Sequence, residues 1–262
     1  MVVYDIPNVT NNGEDMADWL SGKIVKKIQW NERLFSLLIK AELKDFSAGQ
    51  FVRVALDIDG ERVARPYSLV NKPADELLEI YFNVVAEGPL SPKLAELELD
   101  DEIFVTDKAN GFLTVGEVPQ CRHLWLLATG TGVGPFLSIL KNEKVWQRFE
   151  KVVLCYSVID ASELSYKEEI AAIEQQHAEQ FCYVPMVTRE KVAGAMNQRI
   201  TASLEDGSLE QRTGININEN DSHVMMCGNS AMISDVMAYL ETRGLRKHRR
   251  REPGHITTEK YH

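Results

Sequence analysis

Up to residue 106 the apolar positions come in short bursts. Residues 23–30, 33–42, 50–57, 62–70, 78–85 and 102–106 are rich in Val, Ile, Leu, Phe and Tyr. Turn signals interrupt them at Asp59-Gly60, Asn71-Lys72-Pro73 and Asp100-Asp101. Such residues favour reversals because they supply a positive φ, a fixed φ or a local side-chain acceptor. Short strands at this spacing predict a six-stranded antiparallel barrel, with a brief helix at 91–97 over one end.

After Pro119 the rhythm changes. Residues 123–129 are almost continuously apolar, as in a strand buried on both faces. A helix is expected from 134 to 146, then strand 151–156, helix 164–177, strand 181–187, a helical stretch at 197–204, strand 223–227 and helix 230–243. Alternating strand and helix predicts an open parallel sheet with helices on both faces. The expected organisation is an extension at 1–15, a barrel at 16–117 and an α/β nucleotide-binding domain at 118–262. The extension carries Pro7, Asn8, Asn11, Asn12 and Gly13 without sustained periodicity. It reads as disordered, with Met16 as an alternative start.

Composition narrows the class. The 262 residues are 44% hydrophobic and 26% charged, ordinary for a soluble globular chain. No stretch approaches the ~20 apolar residues of a membrane span, and the N-terminus lacks the charged-then-apolar pattern of a signal peptide, so the expectation is cytoplasmic with no membrane partner. The four cysteines, Cys121, Cys155, Cys182 and Cys227, include no Cys-x-x-Cys pair, which argues against an iron–sulfur or zinc site. No metal is expected. Net charge is −10, yet residues 243–251 hold six Arg or Lys and no acid. That run reads equally as a solvated helix end, where cations suit the negative dipole pole, or as a docking patch for an acidic partner. The acidic remainder speaks against nucleic-acid binding.

Two segments carry chemistry. In Arg65-Pro66-Tyr67-Ser68 the side chains of an extended strand alternate, so Arg65 and Tyr67 share a face. An arginine fork suits a pyrophosphate, the tyrosine ring can stack on a flat redox ring, and Ser68 on the other side can bond a ring nitrogen. The alternative is an ordinary strand end. Gly130-Thr131-Gly132-Val133-Gly134-Pro135 falls between a strand and a helix. Glycines admit an anion close to the backbone, and a helix start offers unpaired N–H groups; a purely structural turn is the alternative. Pro135 suits the first helical turn. Cys227-Gly228-Asn229 closes the last predicted strand, where open parallel sheets bind ligands. Together these motifs suggest a flavin-plus-nicotinamide oxidoreductase.

With these residues in view, the chain resembles the bacterial ferredoxin (flavodoxin)–NADP reductases from Met16 to the C-terminus. Gly88-Pro89-Leu90-Ser91, Thr188-Arg189-Glu190 and Pro253-Gly254-His255 add to the likeness. The resemblance implies an FAD-binding barrel and an NADP-binding α/β domain. Hydride would pass between NADP(H) and FAD, and single electrons between FAD and an acidic ferredoxin or flavodoxin, in a monomer. It implies that Arg65, Pro66, Tyr67 and Ser68 hold FAD, with Tyr81, Phe82 and Val84 lining its site and Leu90 and Ser91 meeting its pyrophosphate. Thr131 would lie between the rings, Tyr261 over the flavin and His262 against the adenine. Gly130, Gly132, Gly134 and Cys227 would meet NADP, and Arg189 and Arg199 its 2′-phosphate. Ser68, Cys227 and Tyr261 are the implied catalytic residues.

Three positions depart from the family pattern. Ile159 stands where a further arginine is common, beside Asp160, which weakens a 2′-phosphate site. Ser230 replaces a frequent proline, and His262 a larger terminal aromatic. Two alternatives stay open: an NADH-preferring flavin or oxygenase reductase, and a non-catalytic flavin-binding subunit of an electron-transfer complex.

Overall fold

A computed structural model describes residues 18–261; the extension expected at 1–15 lies outside the described residues. The chain forms two sheets. The first holds β1 (Trp19–Gln29), β2 (Leu34–Lys40), β3 (Phe51–Ile58), β4 (Glu61–Ser68), β5 (Leu78–Asn83) and β6 (Glu102–Thr106), with the short helix α1 (Ser91–Glu96) between the last two. All their pairings are antiparallel, in the order β4-β3-β6-β1-β2-β5. A bridge between Leu69 and Ile80 brings the two outer strands together, so the sheet rolls into the expected barrel. Ile24, Leu37, Ile39, Val52, Val54, Ile80, Ile103 and Val105 fill it.

The second sheet is parallel. It is built from β7 (His123–Thr129), α2 (Gly134–Leu140), α3 (Glu143–Arg148), β8 (Lys151–Val158), α4 (Lys167–Gln176), β9 (Phe181–Val187), α5 (Ile200–Glu205), α6 (Ser208–Thr213), β10 (Ser222–Asn229), α7 (Ser230–Thr242) and β11 (Ile256–Tyr261). The strand order is β11-β10-β7-β8-β9. The unbroken apolar run of β7 now has its reason. Leu124, Leu126 and Ala128 face the core shared with α2, α4 and the barrel. Trp125 and Leu127 face the opposite core with α5, α6 and α7. Each such leucine, taken fully from water, contributes roughly 1.5–3 kcal/mol.

Several expected elements differ. The helix expected at 134–146 is two helices, because Asn142 stops the first and caps the second, its side chain accepting from the Lys144 N–H. Helix 164–177 starts later, since Tyr166 takes a left-handed conformation (φ 60°) at the entrance to α4. Helix α6 and strand β11 were not expected at all. The Ile-Thr-Thr run that opens β11 is β-favouring, but six residues at a chain end read as a tail.

A buried polar chain joins the two sheets. Trp30 Nε1 donates to Ser36 Oγ (2.8 Å), which lies 2.6 Å from the Tyr166 hydroxyl, and that hydroxyl donates to Glu79 Oε1 (2.8 Å). The Trp30 ring packs on that of Tyr166 at 4.5 Å. Beside it Tyr81 donates to Ser165 Oγ (2.9 Å), and Ser138 donates to the Asn71 carbonyl (2.6 Å). Burial pushes the Glu79 carboxyl up, opposed by Lys141 and by the Tyr166 hydroxyl.

Tyr166→Phe keeps the ring but removes the hydroxyl between Ser36 and Glu79. It is expected to lower unfolding stability by about 1–3 kcal/mol, the usual penalty for stranding buried polar partners. Urea denaturation followed by tryptophan fluorescence would measure this. A variant within about 0.5 kcal/mol of wild type would show that the chain adds nothing to the interface.

Candidate functional site

At the carboxyl edge of the parallel sheet, β4 of the barrel meets β10 and β11. Cys227 on β10 is the register partner of Glu259 on β11. Ser68, the last residue of β4, donates to Glu259 Oε1 at 3.1 Å. A serine from one sheet, a carboxyl from the other and a fully buried thiol thus converge. Burial pushes the Glu259 carboxyl up to about 7, partly offset by the Ser68 hydrogen bond. Gly111 (φ 108°) brings the barrel's exit segment against this carboxyl and the Phe51 ring. Sequence reading placed Ser68 and Cys227 here and missed Glu259. The missing signal was the strand itself, which sets Glu259 level with Cys227.

The glycine-rich turn sits directly above. Residues Gly130–Val133 form a 3-10 turn without a side-chain cap, and α2 follows with Pro135 in its first turn. Gly130 adopts φ 54° with open space where a side chain would be, whereas a side chain at Gly132 would collide with the Cys227 carbonyl. Gly132 therefore serves the packing of the turn on β10, and a side chain at Gly134 would come up against Val70.

On β4, Arg65 is exposed and Tyr67 half-buried. Burial pushes the Tyr67 phenol well up while the nearby Arg65 charge opposes the shift, so the two share a neighbourhood as alternation implies. Arg65 donates to its neighbour's carbonyl, Ala64 O, at 2.7 Å, and makes no ion pair among the described residues. Tyr67 stands edge-on to Phe82 at 5.9 Å. Tyr81 does not join them. It lies on the other face of β5, with its hydroxyl on Ser165 and its ring against Tyr166, inside the contact between the sheets. Its side chain thus points away from that of Phe82, because adjacent strand residues point opposite ways. Val84 is only half-buried, while Leu90 and Ser91 are buried, Ser91 Oγ accepting from the Val85 N–H at 2.9 Å. An exposed guanidinium without an ion pair among the described residues, a phenol ring and a serine along one strand are a donor set that fits the flavin dinucleotide implied by the resemblance.

At the ends of β8 and β9, Asn197 donates to the carbonyls of Val187 and Glu190 (both 2.8 Å) and folds the following loop back. That brings exposed Arg189 and Arg199 to the same edge. Ile159 is 40% exposed there, its carbonyl accepting from Arg189 N. Glu190 is exposed and accepts from the Ala161 N–H at 2.6 Å. Pro66 is exposed, and Thr131 lies in the turn, its carbonyl accepting from Gly134 N. The Tyr261 backbone pairs beside Asn229; the Tyr261 side chain and His262 lie outside the described residues.

The basic run needs revising. Arg243 is held by Glu210 (3.0 Å), Arg249 pairs with Glu252 (3.7 Å), and Arg250 binds Glu117 (2.7 Å) while lying over the Phe112 ring at 4.2 Å. Arg246, Lys247 and Arg251 have no ion-pair partner among the described residues. Half of the patch is intramolecular.

Two family models match the chain: an oxidoreductase FAD-binding domain over residues 23–107 and an oxidoreductase NAD-binding domain over 126–238. The chain is 45% identical over 247 residues to the flavodoxin/ferredoxin–NADP reductase of Escherichia coli (strain K12), covering 94% of this chain and all of that one. It is 32% identical to the ferredoxin–NADP reductase of Pseudomonas aeruginosa, covering 94% and 98%. Among solved structures it matches a ferredoxin NADP+ reductase from Neisseria gonorrhoeae with bound FAD and NADP, with TM-score 0.88, 31% identity, and 93% and 99% of the two chains covered.

The raised Glu259 carboxyl makes a pH prediction. Between its ordinary value of 4.5 and about 7 the folded chain holds a proton that the unfolded chain has released. Stability therefore falls as pH rises through that window, by on the order of 2–3 kcal/mol. Glu259→Gln, which stays uncharged, is expected to flatten this part of the profile in urea titrations from pH 4.5 to 8. An unchanged slope would mean that Glu259 is not the buried titrating group.

Proposed function

The chain belongs to the flavodoxin/ferredoxin–NADP reductase family, and we propose that it works as one, moving hydride between NADP(H) and FAD and single electrons between FAD and ferredoxin or flavodoxin. The observation that carries this reading is the convergence of Ser68, Cys227 and Glu259, one from the barrel and two from the parallel sheet. A site made jointly by both sheets suits a reaction between two bound nucleotides.

The residues divide the work. Residues 16–117 take the flavin, with the Arg65 fork on the pyrophosphate, Tyr67 against the ring system, Phe82 and Val84 behind it, and the backbone at Leu90 and Ser91 near the phosphates. Residues 118–262 take the coenzyme, with the Gly130–Gly134 turn near its pyrophosphate and Arg189 and Arg199 on its 2′-phosphate. Bound FAD supplies the redox chemistry, and the protein positions and tunes it. Ser68 and Glu259 hold a proton between them at the edge where the two rings would meet. The buried Cys227 shapes that contact and keeps water from it. Arg246, Lys247 and Arg251 offer an acidic carrier the open part of the basic patch. The protein is read as a cytoplasmic monomer, and no helix of the described residues is long and apolar enough to cross a membrane. Neither the NADH-preferring alternative nor the non-catalytic one finds support in relatives that match end to end.

Anaerobic titration of the purified, FAD-loaded protein tests the reading. NADPH is expected to bleach the flavin band at far lower concentration than NADH. A protein unable to take up FAD, or one bleached mainly by NADH, would reject it. For docking, ferredoxin or flavodoxin reduction should slow steeply with added salt while ferricyanide reduction does not. Equal salt dependence would remove the role given to the three open cations.

A further inference from the structure

The carboxyl ends of β7 and β10 are paired as far as Ala128 and Cys227. Beyond that the two chains diverge, one into the Gly130–Val133 turn and the other into α7. Diverging strands would normally leave the next backbone groups to solvent. Here Thr129 Oγ1 accepts from the Asn229 N–H at 2.8 Å. A side chain at Gly228 (φ 127°) would collide with the same hydroxyl and with the Thr129 carbonyl. Asn229 in turn caps α7, its Oδ1 accepting from the N–H groups of Ala231 (2.9 Å) and Met232 (3.1 Å). Because Asn229 is the cap, its own N–H has no partner within the helix. The Thr129 hydroxyl supplies one from the neighbouring strand.

One hydroxyl therefore connects the start of the coenzyme turn, the Cys227-Gly228 strand end and the cap of α7. From the opposite side Gly132 rests on the Cys227 carbonyl, so close that no side chain fits. We propose that Thr129 is a positioning residue: its hydroxyl fixes the Cys227-Gly228-Asn229 strand end against the glycine turn, and so sets where the nicotinamide half of the coenzyme comes to rest. The proposal builds on the reductase reading and adds a residue that touches neither reacting ring. Valine could not do this. It fills the same space, but it presents a methyl group to the Asn229 N–H, which must then move away or lose its partner. Serine keeps the acceptor.

The test compares Thr129→Val, Thr129→Ala and Thr129→Ser with wild type as full-length, FAD-loaded proteins. Three quantities are read: amide hydrogen exchange at Asn229, kcat and KM for NADPH with ferricyanide, and affinity for 2′-phospho-AMP, which occupies only the adenosine half of the coenzyme site. Thr129→Val and Thr129→Ala are expected to speed Asn229 exchange and to lower kcat, each on the order of tenfold, with 2′-phospho-AMP affinity unchanged. Thr129→Ser is expected to stay within about twofold of wild type in all three. The alanine variant, which removes the hydroxyl without adding bulk, decides the matter should valine prevent folding. Wild-type kcat in a variant whose Asn229 amide exchanges freely would overturn the proposal. So would a serine variant as slow as valine. A wild-type protein that binds FAD but does not oxidise NADPH would instead reject the reductase reading, and the coenzyme half of this proposal with it.

Discussion

The site exists only while two differently built sheets are held at a fixed angle, and the contact that holds them is a polar chain set in an apolar wall. The wall contributes Leu34, Val70, Tyr81 and Leu113 from the barrel side and Phe136, Leu137 and Tyr156 from the sheet side. Apolar contact alone is non-directional and would tolerate sliding. The hydrogen-bonded run from Trp30 through Ser36 and Tyr166 to Glu79 does not, because Ser36 and Tyr166 are buried, their neighbours are partly so, and a shift strands their partners. The left-handed backbone of Tyr166 belongs to this arrangement. A bulky residue in that region carries strain, and its hydroxyl, bonded to both Ser36 and Glu79, holds it there.

With the angle fixed, the carboxyl edge of the parallel sheet meets the last residue of β4. A buried carboxyl raised to about 7 is destabilising at neutral pH, so Glu259 is a feature that fold stability by itself opposes. Its neighbours enclose it. It lies level with Cys227, is bonded by Ser68, and is walled by Gly111 and Phe51, so a proton held there is shielded from bulk water. The glycines of the turn divide between two tasks: Gly130 keeps space open above the sheet, and Gly132 removes space so that the turn can rest on β10.

Charge is distributed with the same economy. In a chain of net charge −10 the basic run could have served as a field for partners. Much of it is instead used to bind the loop that leads into β11. Arg250 reaches Glu117 and covers Phe112 near the exit from the barrel, and Arg243 closes the end of α7 onto Glu210. These pairs secure the segment that delivers Glu259. Three cations remain for anything outside the molecule.

The sequence by itself determined the two-sheet architecture and all the strands but the last, and it held the motifs of the candidate site. Period and turn chemistry are local, so the barrel strands and the βα alternation could be read from neighbours in the chain. Arg65, Tyr67, Ser68, the glycine turn and Cys227 were legible because each sits in a short motif whose chemistry does not depend on distant contacts. Tertiary structure alone decided the rest. Whether Tyr81 faces the barrel strand of Tyr67 or the second sheet depends on which side of β5 the α/β unit covers. Whether Glu259 matters depends on a parallel register with β10, more than thirty residues away in sequence. Thr129, an unremarked strand end in the sequence, accepts from a backbone amide one hundred residues distant. The ion pairs of Arg243 and Arg250 likewise join residues far apart in the chain. Pairings of this kind are set by where the chain returns to itself, and no local pattern of residues encodes that return.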